Sequence, residues 1–159
     1  MKRLVLATFT VVLAGALDAH EGQKAPSQGR KVSNERHAWG KEGDPSKAVR
    51  TIAVDMADTM RFSPSELRVK RGETIRFAVS NSGKLMHEMV IGTREELEKH
   101  AELMKKHPGM EHDAPYMAHV APGKKEQITW QFTRPGTFMY GCLVPGHWEA
   151  GMKGRIVVR

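Results

Sequence analysis

The chain of 159 residues has 25 Lys and Arg, 18 Asp and Glu, a formal net charge of +7, 40% hydrophobic and 27% charged residues. That composition excludes a disordered or collagen-like chain, and the length suits one domain of roughly 100–150 residues with a tail. The single Cys excludes an internal disulfide framework and any zinc site built from several thiolates, yet it stands beside 8 His and 10 Met.

Met1-Lys2-Arg3 is a short positive region, followed by an apolar run from Leu4 to Leu17 broken only by Thr and Gly. Ala14-Gly15-Ala16 fits a small-x-small cleavage pattern, and Ala19 offers a second site. The run is shorter than the ~20 residues of a spanning helix, so residues 1–19 read as a secretory signal and the protein as periplasmic, with no integral membrane span. Removing them takes away Lys2, Arg3 and Asp18 and leaves a net charge of +6. The remaining Lys and Arg are scattered with no aromatic-interleaved basic stripe, which argues against nucleic acid. A basic surface that steers acidic protein partners or anionic membrane, or one that is merely soluble, accounts for the charge.

Residues 20–48 have no period of 2 or 3.6 and read as a flexible N-terminal arm, with the ordered domain spanning 49–159. Val49 to Met56 alternates apolar and polar residues, as a half-buried strand does. Leu67 to Lys70 alternates too, and Arg71-Gly72-Glu73 turns into a strand over Thr74 to Val79, closed by Asn81-Ser82-Gly83. Further strands are expected over Met86 to Ile91, Ile128 to Phe132, Thr137 to Tyr140 and Gly154 to Val158. About seven short strands separated by turns predict an all-β sandwich. The exception is Arg94 to His107, rich in helix formers, with Thr93 as N-cap and Glu96 as its capping-box partner.

The lone Cys142 lies between two expected strands in the spacing Cys-x4-His-x4-Met, with His147 and Met152, and His87 lies upstream in a strand. Two imidazoles and a thiolate suit a trigonal copper site with a thioether as weak axial ligand. Thiolate and thioether favour Cu(I) while imidazole accepts Cu(II), so the set serves a one-electron couple.

These motifs resemble the cupredoxins, the small blue-copper proteins. Phe62-Ser63-Pro64 with Leu67, Val69, Gly72-Glu73, Ile75 and Phe77 matches the family's early strands; Asn81-Ser82-Gly83 before His87 matches the segment of its first His ligand; residues 135–158 match its ligand loop and last strand. The resemblance implies a Greek-key β-sandwich, equatorial ligands His87, Cys142 and His147, and Met152 as axial ligand. It implies a partly exposed His147 as the electron exit, and an Asn81 that helps tie the ligand loops together. The long loop and the segment from Asp55 to Leu67 look most similar to periplasmic cupredoxins linked to bacterial copper tolerance.

The function so implied is non-enzymatic: a type 1 copper cycling Cu(I)/Cu(II) in electron transfer or copper tolerance, with redox or copper-handling proteins as partners. The alternatives are a copper-sequestering or copper-delivery protein and a copper enzyme domain. His100, Met104 and His107 share one helix face at spacings i, i+4 and i+7, and with Met86, Met89, Met110, His112, Met117 and His119 they suggest a second, weaker copper site. The plainer reading makes the Met residues packing and the His residues solvated. Trp148 is either part of a docking patch or a cover for the loop. A chain starting at His20 would present an amine and an imidazole to copper.

Overall fold

The computed structural model describes residues 31–159 except Gly109 and Glu111; the expected signal over 1–19, His20 and the first part of the arm lie outside the described residues. Eleven strands and one α-helix follow in order: β1 (Arg36–His37), β2 (Gly40–Glu42), β3 (Arg50–Ala57), β4 (Arg61–Ser63), β5 (Glu66–Val69), β6 (Thr74–Asn81), β7 (His87–Gly92), α1 (Arg94–Lys106), β8 (Met117–Val120), β9 (Lys125–Phe132), β10 (Gly136–Gly141) and β11 (Lys153–Val158). They form a six-stranded sheet ordered β1-β2-β9-β6-β3-β4 and a five-stranded sheet ordered β5-β11-β10-β7-β8. Pairing is antiparallel except for β3 with β6 and β5 with β11.

The seven strands expected from periodicity are all present; the four additional ones are two to four residues long, too short to show alternation. In β6, and in β9 from Ile128 onward, every second residue is buried, so Ile75, Phe77, Ile128, Trp130 and Phe132 meet Met89, Ile91, Phe138, Tyr140 and Ile156 of the other sheet in one core. The helix starts as expected: the Thr93 side chain accepts from the Glu96 N–H, and the Glu96 carboxylate accepts from the Thr93 N–H.

Over its described part, 31–48, the structure corrects the reading of a flexible arm. Within it, β2 pairs with β9, and Trp39 is only 1% exposed, its ring 4.7 Å from that of Trp130. Trp39 Nε1 also donates to Glu96 at the start of α1 (3.3 Å). One indole of this size buries enough apolar surface to hold an otherwise polar segment in place, and a single aromatic leaves no periodic signal.

β7 is buried on both faces, which positions the site. His87, Met89 and Ile91 face the sandwich core, whereas Val90 meets a second apolar cluster with Leu97, Ala101 and Met104 of α1 and with Leu143 and Trp148. The helical insertion thus covers the outer face of the strand that carries His87. Lys105 near the helix end pairs with Glu149 in the loop between β10 and β11 (2.7 Å).

Candidate metal centre

His87 begins β7, and Cys142 follows the last residue of β10. His147 and Met152 lie in the connection to β11, which folds on its own backbone: the Cys142 N–H donates to Met152 O (3.1 Å), Met152 N–H to His147 O (3.0 Å) and His147 N–H to Val144 O (2.9 Å). Arg61 adds an outer tie, donating to the Ala150 carbonyl (3.0 Å). At Gly141 a Cβ would lie 2.4 Å from the Trp148 ring, so only glycine lets the indole close over the loop. Trp148 is buried in the second cluster, with Lys153 Nζ 4.1 Å from its ring centroid. It is therefore a cover for the loop rather than an exposed docking residue.

Three donor atoms converge. His87 Nδ1 is 3.2 Å from His147 Nδ1, and Cys142 Sγ is 3.2 Å from His147 Nδ1 and 4.0 Å from His87 Nδ1. A triangle with these sides has a circumscribed circle of radius about 2 Å, the reach of a metal–imidazole bond. Among the described residues, this is the one group of three or more His, Cys, Asp or Glu placed to hold a metal ion. Cys142 and His87 are buried and His147 is partly exposed, the exposure expected of an exit ligand. Met152 is fully buried in the same core cluster as Cys142.

The electrostatics act oppositely on two of these atoms. Burial, and then the neighbouring His87 ring, hold His147 below its ordinary value, which favours the neutral imidazole. Burial pushes the Cys142 thiol up to about 12, so metal binding at this sulfur must displace a proton. Two imidazoles and a thiolate in a trigonal array fit copper.

Three residues that the sequence reading did not assign to the site support it. Asp58 accepts from His87 Nε2 (3.1 Å), which turns Nδ1 towards the other donors, and from the N–H groups of Lys84 (2.8 Å) and Leu85 (3.2 Å). Those two amides and His87 hold its carboxyl below the usual range. A Cβ at Gly83 would lie 2.0 Å from Asp58 Oδ1, so glycine is required for this close approach. Removing such an outer partner costs about 10–100-fold in metal affinity; Asp58→Ala should show that loss in a copper competition titration.

Glu88 and His119 are the other two. Glu88 donates its N–H to Cys142 Sγ (3.4 Å) and accepts from the Leu143 N–H (2.8 Å), linking the first ligand strand to the ligand loop. The tie between the two ligand segments is thus Glu88. Asn81 instead donates to the Leu85 and Val120 carbonyls, both at 2.8 Å.

Glu88 also pairs with His119 Nδ1 (3.0 Å) and holds that imidazole up to about 9, against an ordinary value of 6.5. With the folded value raised, this pair stabilises fully below about pH 6.5 and loses its effect as pH rises through about 9. His119 is 35% exposed, so the contribution after solvent screening is about 1–2 kcal/mol. Urea unfolding of copper-free protein should find His119→Gln destabilising near pH ~6 and almost neutral near pH ~10.

The helix-face residues diverge. Met104 is buried in the second cluster, His107 caps the helix end in an exposed position, and His100 lies beside His112 with ring centroids 4.6 Å apart and planes tilted by 42°. Of the other methionines, Met56, Met89 and Met117 are buried, whereas Met86 and Met110 are exposed.

A β-sandwich that brings two imidazoles and a thiolate together at one end is a copper-binding domain. The family described as copper binding proteins, plastocyanin/azurin family, matches residues 48–159, and the chain belongs to that family. It is 50% identical over 121 residues to the copper-resistant cuproprotein CopI of Rubrivivax gelatinosus, covering 76% of this chain and 73% of that protein. It is 32% identical over 187 aligned positions to the protein of the same name from Pseudomonas aeruginosa, covering 99% of this chain and 98% of that one. Among solved structures, dithionite-reduced auracyanin from Roseiflexus castenholzii matches with a TM-score of 0.60 at 24% identity, covering 69% of this chain and 96% of that one. That likeness concerns the fold.

Proposed function

We propose that this is an exported, periplasmic copper protein that carries single electrons at one type 1 centre and serves copper tolerance. His87, Cys142 and His147 are its equatorial ligands and Met152 its axial one. The observation that carries the reading is the donor triangle, closed to bonding size with a loop hydrogen-bonded to itself and clamped between β10 and β11. Copper bound there supplies a Cu(I)/Cu(II) couple. The chain keeps the donors in nearly fixed positions in both states, so little reorganisation opposes the electron. The partly exposed His147 provides the exit, and Leu85 and Met86, each 48% exposed just before His87, offer apolar area to a protein partner.

The role in copper tolerance is supported by the relatives that bear the name copper-resistant cuproprotein. The signal-like pattern expected over residues 1–19 supports the location. Among the described residues no helix is long and apolar enough to cross a membrane. The carrier reading is tested by electron self-exchange between the Cu(I) and Cu(II) forms. Rapid exchange is expected; exchange too slow to broaden proton resonances would favour sequestration. In a strain lacking the gene, the wild-type chain should restore growth on copper and Cys142→Ala should not.

A further inference from the structure

The geometry points to a second metal site, held by His100 of α1 and His112 of the segment between α1 and β8, and separate from the site of His87, Cys142 and His147. Its ligand is Cu(II), bound by two imidazoles with water in the remaining positions. The two rings lie with centroids 4.6 Å apart and planes tilted by 42°. The pair His87 and His147, whose nitrogens converge in the donor triangle, has nearly the same arrangement, at 5.0 Å and 53°. An ion about 2 Å from one nitrogen of each ring lies about 3.2 Å from each centroid. Two rings meeting it near a right angle, as in a tetragonal Cu(II) site, then have centroids about 4.5 Å apart.

The state of the nitrogens agrees with the spacing. His112 Nδ1 is buried and has no hydrogen-bond partner, which is costly for a polar atom unless something engages it. Burial, and then the His112 ring, hold His100 below its ordinary value, so its imidazole is neutral and keeps a lone pair for a metal. The terminal torsion of a His side chain is soft, so each ring turns a nitrogen towards a shared ion without moving its backbone. Both residues are half-buried, which leaves the pair open to an ion from solvent.

The neighbouring His residues fall outside the pair. His119 has both nitrogens engaged, Nδ1 by Glu88 and Nε2 by the His112 carbonyl (3.0 Å), and so fixes the backbone of His112 instead of binding the ion. His107 stands exposed at the helix end. Helical spacing therefore supplies one ligand, and the segment that returns to β8 supplies the other. Among divalent first-row ions, an imidazole site holds Cu(II) most tightly. It lacks the thiolate and thioether that favour Cu(I), so its role is to hold Cu(II) rather than to cycle it.

The test is a Cu(II) titration of wild type, His100→Gln, His112→Gln and His107→Gln, followed by EPR and absorption. In wild type, copper added after the thiolate-to-copper band has saturated should give a second Cu(II) signal, with wide copper hyperfine splitting and coupling to two nitrogens. The affinity behind that signal should fall more than about tenfold in His100→Gln and in His112→Gln, and should be unchanged in His107→Gln. No second signal would overturn the inference. So would one undiminished in either of the first two variants, as copper held at the chain terminus would give. Should a variant fail to fold, the ring-proton resonances of Cys142→Ala decide. Broadening of His100 and His112 by substoichiometric Cu(II) ahead of His107 supports the site, and unbroadened resonances overturn it. The two-nitrogen signal without any thiolate band would still support this site and would bring down the type 1 reading alone.

Discussion

Trp39→Ala should cost about 3–5 kcal/mol of folding stability, as expected for a buried Trp truncated to Ala. The indole is 1% exposed and lies against Trp130, Phe132 and Phe138 at centroid distances of 4.7, 6.2 and 5.9 Å. Its loss would open a cavity where the N-terminal strands join the sandwich and would release the bond to Glu96 at the helix start. Domains of this kind are stable by only about 5–15 kcal/mol, so the loss is a large fraction. In urea the copper-free protein should show a much lower midpoint with little change in slope. A midpoint within error of wild type would mean that residues 36–42 do not support the fold.

Cys142→Ala should have the largest effect on copper. Removing an outer partner lowers metal affinity by about 10–100-fold, and removing a direct thiolate donor should exceed that. The strong visible band from thiolate-to-copper charge transfer should disappear. The fold should survive, because the sulfur sits in a core whose neighbours on both sheets remain in place. A competition titration and an absorption spectrum measure both effects. Survival of the band in Cys142→Ala would remove the sulfur from the ligand set.

Much of the fold was legible because its long strands alternate cleanly between a core face and another face, as β6 and β9 do. The helix was legible from its capping box. β7 conceals its partners: its six residues are all buried, so alternation in hydrophobicity does not reveal that one face meets the helix. The ligands His87, Cys142, His147 and Met152 were legible from spacing, since three of them share one short loop.

Their supports were not equally visible. Asp58 reaches His87 from 29 residues away, a separation that carries no local signal. Glu88 did carry one, as a carboxylate in the otherwise apolar strand HEMVIG, where its burial demands a partner. Its partner, His119, shows in the sequence only as one of several His residues around and after the helix. The face formed by His100, Met104 and His107 shows the limit of helical spacing: packing takes Met104 inward and leaves His107 at the exposed helix end.

The most direct test is an optical and EPR spectrum of the copper-loaded protein with a metal count. The account predicts an intense visible charge-transfer band from a mononuclear Cu(II) thiolate, saturating when the site of His87, Cys142 and His147 holds one copper and bleaching on one-electron reduction. A fully loaded protein with no such band would contradict it.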